Sequence, residues 1–157
     1  MVRLPKVSIN TDISDGLCFG CGRNNPFGLK LHFKWDGNTA KAEFTPDTHH
    51  QGWKGIVHGG IITCMLDEAM TYAARFQGLN CLTARMHVTF KRPAVVDELL
   101  VITSSIVRNA RRLIETKASI FSQDGTLVAE ATATQFVVET RSGDGGSREE
   151  SRVNARK

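Results

Sequence analysis

The sequence predicts an α+β domain: one long buried helix wrapped by a curved antiparallel sheet of about five to six strands. Three observations predict it. Residues 61–77 have a helical period, and their first half, IITCML, is apolar on every side, the mark of an enclosed helix. Two alternating segments joined by a turn precede it. Four segments rich in Val, Ile and Thr follow it, with connections short enough to make neighbouring strands antiparallel.

Taken in order, residues 1–28 are rich in Gly, Asn, Asp and Pro and read as an irregular arm packed on the domain. Leu29 to Trp35 alternates apolar and polar, Asp36-Gly37-Asn38 supplies a turn, and Thr39 to Phe44 alternates again. Pro46 to Gly60 is a loop with three histidines, and Gly78 is placed to stop the helix that follows. In Cys81 to Lys91, Leu82, Ala84, Met86, Val88 and Phe90 share one face, and Thr83, Arg85, His87 and Thr89 the other. Strands at Leu99 to Val107, Leu113 to Phe121 and Leu127 to Val138 are separated by turns at 109–111 and 123–125. The domain proper is therefore expected over 29–140. Residues 141–157, Gly/Ser-rich and then charged, are expected to be a disordered tail.

Composition excludes several classes. The chain has 157 residues, 41% of them apolar and 23% charged, the balance of one ordinary globular domain. No run approaches the roughly 20 apolar residues of a membrane span, and MVRLPKVSIN lacks the apolar core of a secretory signal. A cytoplasmic location without disulfides is expected for the four cysteines. The net charge of +4 is scattered, with five basic and three acidic residues in 141–157, so no nucleic-acid stripe is present. A modest positive balance suits a small anionic ligand. Cys18-Phe19-Gly20-Cys21 is half a zinc site. No second close-spaced pair follows it, so no metal is expected, and His32, His49 or His50 would complete it only by accident of folding.

Two features carry chemistry. Asp67 and Glu68 interrupt the most apolar stretch of the chain, where burying an unpaired carboxylate is costly. They lie about 100° apart round the helix, so one pocket takes only one of them. Asp67 is four residues from both Thr63 and Thr71, and a buried acid bonded to those hydroxyls is the purely structural alternative. The second feature is His58-Gly59-Gly60 before the helix. No Ser, Thr, Asp or Asn caps the first turn, and helix N-terminal N–H groups flanked by glycine suit an anion or oxyanion. A plain Gly-rich turn is the alternative reading. Gly59 and Asp67 together suggest acyl transfer. They are about 12 Å apart along one helix and about 80° round it, which argues for a two-fold dimer with shared sites. No GxSxG, phosphate loop, GxGxxG or HExxH motif is present.

The segments CFGCGRNNPFGLKL, GWKGIVHGGIITCMLDEAM, TARMHVTFKRP and DGTLVAEATATQFVV resemble the hotdog-fold acyl-CoA thioesterases, in the PaaI-like branch. The resemblance covers about residues 17–138. It implies hydrolysis of an acyl-CoA thioester without metal or other cofactor, in a homodimer or tetramer with interfacial sites and no membrane partner. It makes Asp67 the general base or nucleophile and Gly59 the backbone donor to the carbonyl, with Gly60 beside the substrate. His58 becomes a supporting histidine, and Thr83 a hydroxyl that orients water or the carboxylate. It puts Lys91, Arg92, Arg108, Arg111 and Arg112 near the CoA phosphates, where solvated surface charge is the alternative. One position departs from the pattern: many relatives have a polar residue, often Asn, where this chain has Gly52, with Gln51 and His50 as neighbouring substitutes. Other readings of the same sequence are a non-catalytic acyl-CoA or acyl-carrier binding module, a hydratase or dehydratase built on Asp47 and His49, and a zinc-dependent interaction module at Cys18 and Cys21.

Overall fold

The structure, a computed structural model, describes residues 16–138 apart from residue 111. The first fifteen residues of the expected arm, the expected tail at 141–157 and Arg111 lie outside the described residues. The strands are β1 (Lys34–Trp35), β2 (Ala40–Phe44), β3 (Cys81–Phe90), β4 (Leu100–Ala110), β5 (Leu113–Ser122) and β6 (Leu127–Val137). Among the described residues a single α-helix, α1 (Gly59–Phe76), follows a short 3-10 turn at Thr48–His50. The strands form one antiparallel sheet in the order β1-β2-β4-β5-β6-β3. The helix carries the chain from β2 to the far edge, so β3 is an edge strand whose outer side is unpaired among the described residues.

The apolar periodicity of α1 packs it onto the concave face of this sheet. Met65, Leu66 and Met70 are fully enclosed, against Leu100, Ile102, Ile120 and Val128. Each such side chain contributes about 1.5–3 kcal/mol of transfer free energy. Ala118, Ala129, Ala131 and Ala133 keep the sheet surface low beneath the helix, and Ser104 Oγ donates to the Ala69 carbonyl at 2.5 Å.

Three sequence expectations need correction. The alternation from Leu29 to Trp35 is real, since Leu29, Leu31 and Phe33 are buried, but only Lys34 and Trp35 pair as strand. Lys30 sits at φ 54°, and the Leu29 and Leu31 N–H groups donate to the Phe19 and Gly20 carbonyls at 2.8 and 2.9 Å. The backbone there is committed to the 18–22 loop. Next, β4 runs through the expected turn at 109–111, with Asn109 and Ala110 paired to Ile114 and Leu113, so the connection to β5 is shorter than foreseen.

The third correction concerns β3. The register shifts between Thr83 and Arg85, so Ala84 is an extra residue opposite β6. An inserted residue reverses the facing of everything before it. Thr83 consequently shares the helix side with Met86 and Val88, which pack on the core, instead of facing away from them.

Candidate active site

Helix α1 begins at Gly59, two residues earlier than its periodicity suggests, because His58 caps it. His58 Nδ1 accepts from the Gly60 N–H at 2.9 Å, so the first turn does have a side-chain cap. That bond commits the Gly60 N–H, and a Cβ at Gly60 would come within 3.0 Å of the same His58 nitrogen. The Gly59 N–H donates to no group among the described residues, and His58, Gly59 and Gly60 are all exposed. A helix N-terminus with one free, accessible N–H beside a glycine is a place for a developing negative charge. At the other end of the helix, Gly78 at φ 76° takes the left-handed conformation, with its N–H on the Arg75 carbonyl.

Asp67 is half-buried, two turns along. Its Oδ1 accepts from Thr83 Oγ1 at 2.6 Å, across the bulge of β3. The local partner expected from helical spacing is engaged elsewhere: Thr63 Oγ1 donates to the Gly59 carbonyl at 2.9 Å. Behind Thr83 stands a relay the sequence did not reveal. Gln135 Nε2 donates to Thr83 Oγ1 at 3.2 Å, and Thr116 Oγ1 donates to Gln135 Oε1 at 3.4 Å. Gln135 is 0% exposed and Thr116 1%, so both need these partners. A polar residue at an inward position of a strand was the available signal, but the facing of Gln135 became legible only with the sheet register.

Within one chain the two features stay apart. Gly59 lies beside Phe90, whose ring atoms would be 3.6 and 3.7 Å from a Cβ placed there. Asp67 meets Thr83 near the opposite end of the same strand. The basic residues divide the same way. Lys91 and Arg92 follow Phe90, ion-paired at 2.9 Å with Glu130 and Glu98 respectively. Arg108 and Arg112 flank the β4–β5 connection at the Thr83 end, where Leu113, Phe136 and Leu82 lie side by side across the sheet. Arg108 reaches Glu115 only at 3.9 Å and is 71% exposed, and Arg112 is exposed.

Around Gly52 the loop is closed by its own bonds. Gln51 Oε1 accepts from the Gly55 N–H at 3.0 Å, and His50 Nδ1 accepts from the Asp47 N–H at 3.0 Å. Both side chains that might replace a polar residue at 52 are thus engaged locally. A Cβ on Gly52 would stand 3.2 Å from the His58 ring. A cleft of about 300 Å³ lined by Arg85, His87, Glu115 and Thr132 opens on the face of the sheet turned away from the helix, and Asp67 is not among its walls.

The family model of the thioesterase superfamily matches residues 54–129. The chain is 33% identical over 91 residues to the acyl-coenzyme A thioesterase THEM4 of Mus musculus, covering 57% of this chain and 39% of that protein. It spans between about one-third and three-fifths of the length of these curated relatives. Among solved structures, a hypothetical thioesterase protein with coenzyme A from Streptococcus pneumoniae has a TM-score of 0.67 at 22% identity, covering 71% of this chain and 88% of that one. The E. coli PaaI protein from the phenylacetic acid degradation operon has a TM-score of 0.66 at 21% identity, covering 69% and 83%. These likenesses establish the fold: one helix against a curved six-stranded antiparallel sheet, the hotdog architecture.

Proposed function

We propose that this chain hydrolyses an acyl-CoA thioester to the free acid and CoA, a reading supported by the match of residues 54–129 to the thioesterase superfamily. The observation that carries the reading is the pairing of a carboxylate fixed by a hydroxyl, Asp67 on Thr83 at 2.6 Å, with an unspent, exposed N–H at Gly59. In the general-base form, Asp67 takes a proton from water and the hydroxide adds to the thioester carbon. The oxyanion that forms accepts from the Gly59 N–H. The C–S bond then breaks, and the CoA sulfur leaves with the proton returned by Asp67. In the nucleophilic form Asp67 adds to the carbon itself, the C–S bond breaks and CoA leaves as its thiolate, which takes a proton from solvent; water then hydrolyses the mixed anhydride to the free acid and regenerates the Asp67 carboxylate.

The separation of Gly59 from Asp67 calls for a second copy. The ten-residue edge of β3 offers an unpaired backbone ladder, and pairing it about a two-fold axis with another β3 brings the Thr83 end of one chain toward the Phe90 end of the other. That arrangement puts Gly59 of one protomer opposite Asp67 of its partner. His58 then acts through the backbone, by holding the helix entrance. Arg108, held to Glu115 only at 3.9 Å, and Arg112 meet the CoA phosphates more readily than Lys91 and Arg92, which are ion-paired at 2.9 Å.

The test is free-thiol release across a panel of short, long and aromatic acyl-CoAs, with Asp67→Asn as the control. The expected result is turnover that falls by about three orders of magnitude or more in Asp67→Asn while the oligomer and its circular dichroism are unchanged. Equal turnover in the variant removes Asp67 from the mechanism. Gly52 favours a second reading, a non-catalytic acyl-CoA or acyl-carrier binding module. It predicts tight acyl-CoA binding with no thiol release by the unaltered chain.

A further inference from the structure

The hydrolytic reading makes no use of Cys18, Cys21 and Glu68, yet the fold gathers them. Their ligand atoms, two sulfurs and a carboxylate oxygen, all lie within 4.8 Å of one another. Cys18 Sγ is 3.8 Å from each Glu68 oxygen. Two ligands at the bond lengths of tetrahedral zinc, roughly 2.3 Å to sulfur and roughly 2.0 Å to oxygen, stand about 3.5 Å apart, so the cluster is close to a coordination polyhedron.

The loop carrying the thiols is shaped to hold them there. The Gly22 N–H donates to the Cys18 carbonyl at 2.8 Å, and a Cβ at Gly22 would lie 2.3 Å from the Gly16 carbonyl oxygen and 2.5 Å from Cys18 backbone atoms. At Gly20 a Cβ would stand 2.5 Å from Glu68 Oε2. Glycine is therefore required twice, once to close the turn and once to let the loop rest on the carboxylate. Glu68 makes no ion pair among the described residues. The helix adds Cys64 one turn before Glu68 and Tyr72 one turn after it, on one face.

We propose that Cys18, Cys21 and Glu68 form a binding site for a thiophilic divalent cation of the zinc type, tying the 16–28 loop to helix α1. The missing second cysteine pair, which told against a metal in the sequence, is replaced by a helical carboxylate some fifty residues away, with water or Cys64 closing the fourth corner. Binding releases the two thiol protons to solvent, so affinity falls with falling pH. Glu68 points away from the Asp67–Thr83 bond, about 100° round the helix, so the role is structural and not catalytic.

The experiment uses the full chain, reduced and dialysed against zinc, with metal content measured after gel filtration and cobalt(II) as a spectroscopic substitute. Stoichiometric zinc is expected, with a thiolate-to-cobalt charge-transfer band in the near ultraviolet. Glu68→Gln and Cys18→Ser should each weaken binding by at least the roughly 10–100-fold that loss of even an outer-shell partner costs. Cys18 is exposed, so its variant keeps the fold intact for comparison. Metal-free protein after zinc loading overturns the inference. So does equal metal in Glu68→Gln or Cys18→Ser, which would mean adventitious binding at exposed histidines.

Discussion

Replacing Thr83 with valine tests the relay behind Asp67 at a single atom. Valine keeps the volume and the β-branching that suit β3, and exchanges the hydroxyl for a methyl group. Two bonds go with it: the 2.6 Å bond to Asp67 Oδ1 and the acceptor for Gln135 Nε2 at 3.2 Å. Asp67 is partly exposed, so water recovers part of the first. Gln135 is 0% exposed, so its amide is left unsatisfied. A hydrogen bond to a charged group is worth about 1.5–3 kcal/mol and an orphaned buried donor costs about 1–3 kcal/mol, which after discounting Asp67 gives a loss of about 2–4 kcal/mol. Urea unfolding at matched protein concentration reads that loss, since dimerisation would otherwise shift the midpoint. Without its anchor the carboxylate samples other rotamers, and turnover should fall about 10–100-fold. Thr83→Ser restores both bonds and should lie within about 1 kcal/mol of the parent. A loss under about 0.5 kcal/mol with undiminished thiol release in Thr83→Val would refute the relay.

Two further outcomes are expected besides the Asp67→Asn result. Gly59→Ala adds a methyl group that meets only the Phe90 ring at ordinary contact distance, so stability should hold or rise by up to about 1 kcal/mol, with the thermal midpoint unchanged or higher. Thiol release should nevertheless drop about tenfold or more as the approach to the Gly59 N–H narrows, and full activity would move the oxyanion donor elsewhere. The Asp124 carboxyl, held by the Ser122 hydroxyl and then the Thr126 N–H, is lowered from 3.8 to about 2. A depressed carboxylate stabilises the fold above its unfolded value, and that contribution is lost as pH falls from about 4 through about 2. Carboxyl-resolved NMR titration should find Asp124 below its neighbours, and Asp124→Asn should flatten that part of the acid-unfolding profile. Titration at the ordinary aspartate value would contradict it.

The sequence by itself determined what depends on local period and local chemistry. The enclosed helix was legible because IITCML is apolar all round. The last four strands were legible because β-branched alternation and turn residues recur at short spacing. That Asp67 would need a partner was legible because a carboxylate amid methionine and leucine is expensive wherever it folds. What the tertiary structure decided depends on register and on contacts far apart in sequence. One bulged residue at Ala84 turned Thr83 toward Asp67, and no period-two pattern records such an insertion. Gln135 and Thr116 gained meaning only when β5 and β6 aligned beside β3. Lys30 at a positive φ cut the first strand short in favour of bonds to the 18–22 loop. Cys18 and Cys21 met Glu68 only because the loop folds back over the helix. Propensity acts between residues a few positions apart, whereas a site is assembled by packing, which brings together groups that the chain keeps fifty residues from one another.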